Sequence, residues 1–174
     1  MSRRSLSVAA IALLVAAGPA VAQSAKPNDA QIAHIAYTAG EIDIKAAQEA
    51  LQKSRNRAVR EFAQDMVRDH SAVNKQALAL VKKLHVTPQD NSTSQALLKQ
   101  AADEHAKVAG LTGSAFDRAY AENEVAYHQA VDKALAETLI PSASNPELKN
   151  LLQTGLKIFQ GHEQHAEHVV SELK

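Results

Sequence analysis

Eight histidines are spread over 174 residues that contain no cysteine and no tryptophan. Without thiols there is no disulfide framework, thiolate zinc site, iron–sulfur cluster or cysteine nucleophile. Imidazole and carboxylate are left as the groups able to hold a transition metal. Glu124 and His128 stand four residues apart, so on a helix they are neighbours that one ion can bridge. His162, His165 and His168 recur at steps of three, and His70 falls inside an apolar series between Met66 and Val73. Asp43 adds a carboxylate on the first long amphipathic stretch. Asp43, His70, Glu124, His128, His162 and His165 are therefore the candidate ligands for one divalent transition metal: Zn, Fe, Mn or Cu. His34, His85, His105 and His168 are expected on the surface or in loops. Di-iron carboxylate bundles use Glu-x-x-His on two helices. The residues three before His70 and His165 are Val67 and His162, which disfavours a dinuclear oxidase.

These residues need elements to position them. The first 22 residues are expected to be a signal peptide: Arg3 and Arg4 form a basic start, Leu6 to Ala17 an apolar run, and Ala20-Val21-Ala22 a small-residue cleavage site. Gly18-Pro19 closes the run before it could span a bilayer. The chain is then expected in the periplasm, where the absence of thiols suits an oxidising compartment. The full chain has 19 basic and 19 acidic side chains, and losing the two arginines leaves the mature chain at −2. Near-neutral charge with three Phe and three Tyr gives no nucleic-acid footprint. No segment of the mature chain is apolar enough to cross a membrane, and the sequence leaves room for a homo-oligomer.

Residues 23–28 read as a disordered lead and residues 29–174 as a four-helix domain, rich in Ala, Leu, Lys, Glu and Gln. Helix A follows a cap at Asn28 or Asp29 and runs to about Ser54. Helix B runs from about Arg57 to His85, on a stripe of Val59, Phe62, Met66, Val73, Ala77, Leu80 and Leu84. A polar helix from Ser94 to Ala109 follows. Helix C is capped by Ser114, with Asp117 as acidic partner of its N-terminus, and reaches about Leu139. Its core face is expected among Phe116, Ala119/Tyr120, Asn123, Val125/Ala126, Ala130/Val131 and Ala134. Helix D opens at Pro146 and buries Leu148, Leu152, Gly155, Phe159, His162, Ala166, Val169 and Leu173.

The A–B and C–D loops are short, whereas the segment between helices B and C holds about four helical turns and can traverse the bundle lengthwise. Helix C then starts at the same end as helix B, the ferritin-like topology. With that crossover the six candidate ligands fall at similar depth. The expected class is all-α, a ferritin-like four-helix bundle with a long helical crossover.

Phe62-Ala63-Gln64-Asp65-Met66-Val67-Arg68-Asp69-His70, Phe116-Asp117-Arg118-Ala119-Tyr120, Glu124 and His128 resemble the signature of the exported bacterial family called domain of unknown function 4142. The resemblance runs from about Asp29 to Leu173 and implies a ferritin-like fold. Asp43 stands where the family usually carries the longer Glu.

The leading functional expectation is a periplasmic bundle that stores or buffers metal. A second is an envelope interaction module without metal, in which Asp69, His70, Asp117 and Tyr120 satisfy one another. No Ser-His-Asp spacing, phosphate loop or paired-carboxylate motif points to an enzyme.

Overall fold

The computed structural model describes residues 26–173, and every element among them is helical. The expected signal peptide and residues 23–25 of the lead lie outside the described residues. The helices are α1 (Asp29–Lys53), α2 (Arg57–Lys83), α3 (Ser92–Val108), α4 (Gly113–Ala134) and α5 (Pro146–Glu172). α4 continues through a π-helical turn at Leu135–Leu139 and a last turn at Ile140–Ser142.

Asparagine does most of the helix starting. Asn28 and Gln31 form a reciprocal capping box on α1, and Asn91 and Ser94 one on α3. Asn56 and Asn145 accept backbone N–H groups at the starts of α2 and α5, the latter with Pro146 behind it. α4 departs from the expected cap. It begins after Thr112, which makes no side-chain cap, and Gly113 enters at φ 59° where Ser114 lacks the freedom to turn the chain. Asp117 then falls on the buried side rather than at the exposed first turn. α2 stops at Lys83 through a Schellman motif: Val86 N–H reaches Val81 O at 2.9 Å, and His85 N–H reaches Lys82 O at 3.2 Å. His85 takes the left-handed position, φ 53°, that glycine usually fills.

The π turn has a cause in sequence. Pro141 has no N–H, and its ring crowds the preceding turn of a regular α-helix. The turn before it widens instead, with Ile140 N–H bonding Leu135 O. α4 thus continues beyond its expected end at Leu139.

The crossover is fixed at both ends. Near the start of α1, Gln89 N–H bonds Ala30 O at 3.0 Å. Near its finish, the Lys53 ammonium donates to Val108 O and Ala109 O at 3.3 and 2.8 Å, a cation on the negative end of α3. α3 therefore lies alongside α1 and returns the chain to the α1–α2 turn. Asp29 meets the other loop, accepting from Ser144 N–H and Asn145 N–H at 2.7 and 2.9 Å. The result is the ferritin-like bundle.

Two apolar clusters fill it. One, near the α1–α2 turn, gathers Ala47, Phe62, Met66, Phe116, Tyr120 and Val169. The other, toward the α4–α5 loop, gathers Ile32, Ile35, Leu135, Leu139, Leu148 and Leu152. On each of α1, α2, α4 and α5 the residues between the clusters are polar: Asp43, His70, Glu124 with His128, and His162.

Candidate metal centre

Each helix delivers its polar residue through its apolar period. On α2, Phe62, Met66, His70 and Asn74 repeat every four residues, so the imidazole takes a core position. The same step on α4 buries Phe116, Tyr120, Glu124, His128 and Asp132. This face is more polar than the expected one: Ala126, Ala130 and Ala134 are exposed. On α5 the expected stripe holds from Leu148 to Val169, His162 included, and Leu173 is half-buried.

Five of the six candidates converge. Ligand-capable atoms of His70, His128 and His162 lie within 4.8 Å of one another, as do those of Asp43, Glu124 and His128. All five side chains are buried, so the two triads join at His128 into one polar layer. His165 is at the expected depth but turns to the α2 surface, with Nδ1 3.7 Å from Asp65 and its ring edge-on to Phe62. His85, His105 and His168 are exposed as expected, and His34 is half-buried, 3.9 Å from Asp90.

The hydrogen bonds around the layer set the imidazole tautomers. His128 Nδ1 lies 3.0 Å from the Glu124 carbonyl, an acceptor only, so Nδ1 carries the proton and Nε2 keeps a lone pair. His162 Nε2 lies 3.1 Å from the Asp69 carboxylate, which places its proton on Nε2 and frees Nδ1. His70 stacks on Phe159 at 4.5 Å with planes 4° apart.

The inward-facing atoms lack partners. His128 Nε2, His162 Nδ1, both nitrogens of His70, both oxygens of Asp43 and Oε2 of Glu124 are buried without an aligned hydrogen bond. They are nevertheless close. His70 Nε2 is 2.8 Å from Asp43 Oδ2, His128 Nε2 is 3.4 Å from the same oxygen, and His128 Nδ1 is 3.6 Å from Glu124 Oε2. Nitrogen and oxygen ligands at about 2.0–2.1 Å from one ion stand about 2.9–3.4 Å apart, so the two contacts on Asp43 Oδ2 have the spacing of a ligand shell. Buried polar atoms ordinarily find partners; these fit a cation.

Electrostatics agree. Burial alone would raise the Asp43 carboxyl, but His70, His128 and His162 outweigh it and hold the group below the usual carboxylate range. Burial, with the charge of Asp43 beside it, pushes Glu124 well above its ordinary value. Burial lowers His128 and lowers His162 to about 4, so both rings are neutral at pH 7 as ligands must be. Of the two acids, Asp43 is the one held toward ionisation and Glu124 the one held toward protonation.

Sequence reasoning missed Asp132 and Tyr127 and gave Asp69 the wrong partner. Asp69 orients His162 while Arg68 holds its other side at 2.7 Å. Asp132, one turn beyond His128, is buried against Glu163, and that burial together with Glu163 lifts it to about 7. Tyr127 ties α4 to α1 by donating to Ala39 O at 2.8 Å. The four-step series on α4 could have flagged Asp132; nothing in spacing marks Asp69, which has the pattern of a surface residue. The expected network of Asp69, His70, Asp117 and Tyr120 does not form. Asp69 serves His162, and Tyr120 Oη and Asp117 Oδ1 have no hydrogen-bond partner.

An all-helical bundle with one crossover and a buried histidine–carboxylate layer defines the class. The chain matches the family described as Domain of unknown function (DUF4142) over residues 15–169 and belongs to it. A solved structure described as CopM in the Cu(II)-bound form is similar, with a TM-score of 0.65 over 86% of this chain and 99% of that one, at 13% identity. That likeness is one of fold. Comparison with curated proteins gives no match. No helix among the described residues is long and apolar enough to cross a membrane.

Proposed function

We propose that this protein is exported to the periplasm and binds a divalent transition metal within its bundle, buffering or storing it rather than catalysing a reaction. The observation that carries the reading is the set of buried, unpartnered ligand atoms on Asp43, His70, His128 and His162: His70 and His128 lie 2.8 and 3.4 Å from Asp43 Oδ2, and ring nitrogens of the three histidines lie within 4.8 Å of one another. Burying that many polar groups unpaired costs on the order of 1–3 kcal/mol each, and a cation removes the penalty. His128 and His162 would offer Nε2 and Nδ1, Asp43 its charge, and His70 a ring nitrogen, with Glu124 in reserve. His165 belongs outside this set, because it faces Asp65. Nitrogen and oxygen donors without sulfur suit Cu(II) and Zn(II). Copper(II) is the first ion to test, since CopM shares the fold and is described in its Cu(II)-bound form. The basic start, apolar run and small-residue site within residues 1–22 support export.

The test uses mature chain without a polyhistidine tag, loaded separately with Cu(II), Zn(II), Mn(II) and Fe(II) and freed of excess ion. About one ion per chain is expected for at least one metal, falling below about a tenth in the His70→Ala, His162→Ala double variant. Stoichiometry below a tenth with every metal, or binding that the double variant retains, refutes the reading.

A further inference from the structure

A cavity of about 410 Å³ occupies the half of the bundle toward the α4–α5 loop, a volume in the range of small-molecule sites. Its extent along each helix locates its floor. The lining residues stop at Gly40 on α1, start at His70 on α2, start at Tyr127 and His128 on α4, and stop at Phe159 on α5. These are the positions of the imidazole layer, so the chamber rises from that layer toward the bundle end. On α1 it runs from Gln31 to Gly40, about 14 Å of helix.

The chamber comes from side-chain size. Ala36, Ala39, Gly40, Ala77, Ala134 and Gly155 line it, where the other half of the bundle packs Phe62, Met66, Phe116 and Tyr120. Ile35, Val131, Leu135, Leu139 and Leu152 supply its aliphatic walls. It opens between α3 and α4, where Thr93, Gln100, Ala134 and Thr138 line it and are exposed. The π turn forms part of its wall through Leu135, Thr138 and Leu139, and such turns cluster at functional sites. At the floor the His70 and His128 rings line the chamber, their Nε2 atoms 2.8 and 3.4 Å from Asp43 Oδ2 and His70 Nδ1 buried without a partner. Among the described residues that line it, Lys26 is the one Lys, Arg, Asp or Glu.

The geometry points to a binding chamber for an uncharged aliphatic molecule with a single hydrogen-donating head, its chain along the small-residue walls and its head on the imidazoles of His70 and His128. A carboxylate head is disfavoured, because the floor backs onto Asp43 and holds no Lys or Arg. An aromatic body has no matching slot, since Phe159 already covers the face of His70. The chamber goes beyond the metal reading and does not require it; its head shares the His70 and His128 rings with the proposed metal site, so it is tested on the metal-free chain.

The experiment titrates chelator-treated chain with straight-chain primary alcohols from hexanol to dodecanol, read by calorimetry, with decanoate as the charged counterpart. Affinity should rise about fourfold per methylene and then stop rising at the length that fills the chamber. Decanoate should bind at least about tenfold more weakly than decanol, as a buried unpaired charge requires. Ala77→Leu and Ala134→Leu each add bulk to a different wall, and either should move the cut-off to a shorter alcohol. Ala134 is exposed, so its variant tests the chamber even where Ala77→Leu impairs folding. Absence of saturable binding, or affinity climbing without a cut-off in both variants, overturns the chamber. Decanoate matching decanol overturns the head-down orientation. A chain that takes metal but no alcohol refutes this inference alone; one that takes alcohol but no metal refutes the metal reading alone.

Discussion

His162 gives its Nε2 proton to the Asp69 carboxylate at 3.1 Å, and this contact between α5 and α2 turns the unprotonated Nδ1 into the bundle. A residue at the protein surface thereby chooses the nitrogen that faces the candidate centre. Removing the acceptor frees the ring to exchange tautomers. Asp69→Ala should weaken metal binding about 10- to 100-fold, the usual effect of deleting an orienting partner. Stability should fall by about 1–3 kcal/mol, because the Nε2–H of buried His162 loses its acceptor. Nitrogen-detected NMR of the His162 ring supplies a second readout. It should report one Nε2-protonated tautomer in the native chain and a mixture in the variant. An unchanged tautomer would separate Asp69 from the site.

At Gly40, α1 packs closely against the Asn74 side chain of α2. A Cβ there would collide with Asn74 Oδ1, and Asn74 is held in place by the hydrogen bond its Nδ2 donates to Glu41 at 3.0 Å. Alanine is the better helix former by about 0.8–1.0 kcal/mol. Gly40→Ala should nonetheless destabilise the chain by about 1–3 kcal/mol, because overpacking dominates at a buried contact. Adding Asn74→Ala should recover most of that loss. Denaturant unfolding of the two variants checks the sign, and a stabilised single variant would refute the contact.

Helix positions, the crossover and the depth of the polar residues were legible because apolar period and loop length encode them. His70 and His162 could be placed since each interrupts an otherwise apolar stripe. α4 was harder to read for the opposite reason: its core face alternates aromatic and acidic residues at Tyr120, Glu124, His128 and Asp132, so hydrophobicity does not mark it. His165 shows the limit of depth alone. It lies at the right level, yet three residues past His162 is about 300° around the helix, enough to face Asp65 instead of the core. The chamber was hidden for another reason, since small residues such as Ala36 and Gly155 reveal a void only when neighbouring helices are in place.

Asp132 supplies a pH dependence of definite sign. Burial against Glu163 raises it to about 7, from an ordinary 3.8. The folded state thus holds a proton that the unfolded state has lost between those values. Its contribution to stability is fully present below about pH 4 and fades as pH rises to about 7. Asp132→Asn keeps the shape and a donor for Glu163 but cannot ionise. The variant should gain stability relative to the native chain as pH climbs through that window, by on the order of 1–2 kcal/mol after solvent screening, and gain no more above it. Unfolding midpoints at pH 4.5, 6 and 8 measure the difference. A difference that stays constant or shrinks with rising pH would remove Asp132 from the proton inventory.

Glu124 and Asp43 form the last coupled element. The facing imidazoles favour the ionised form of Asp43 against its burial, and burial beside Asp43 favours the protonated form of Glu124. A cation arriving at Asp43 reverses the second condition: it offsets the negative charge that kept the proton on Glu124. At a pH where Glu124 still holds its proton, metal binding should therefore release close to one, and apparent affinity should strengthen about tenfold per pH unit over that range. Glu124→Gln retains a donor toward Asp43, so its unfolding midpoint should stay near that of the native chain. It has no proton to lose. Calorimetry in buffers of differing ionisation heat should show release in the native chain and near zero in the variant. Equal release from both would place the displaced proton on an imidazole, and Glu124 would then be a packing partner of Asp43 with no share in metal uptake.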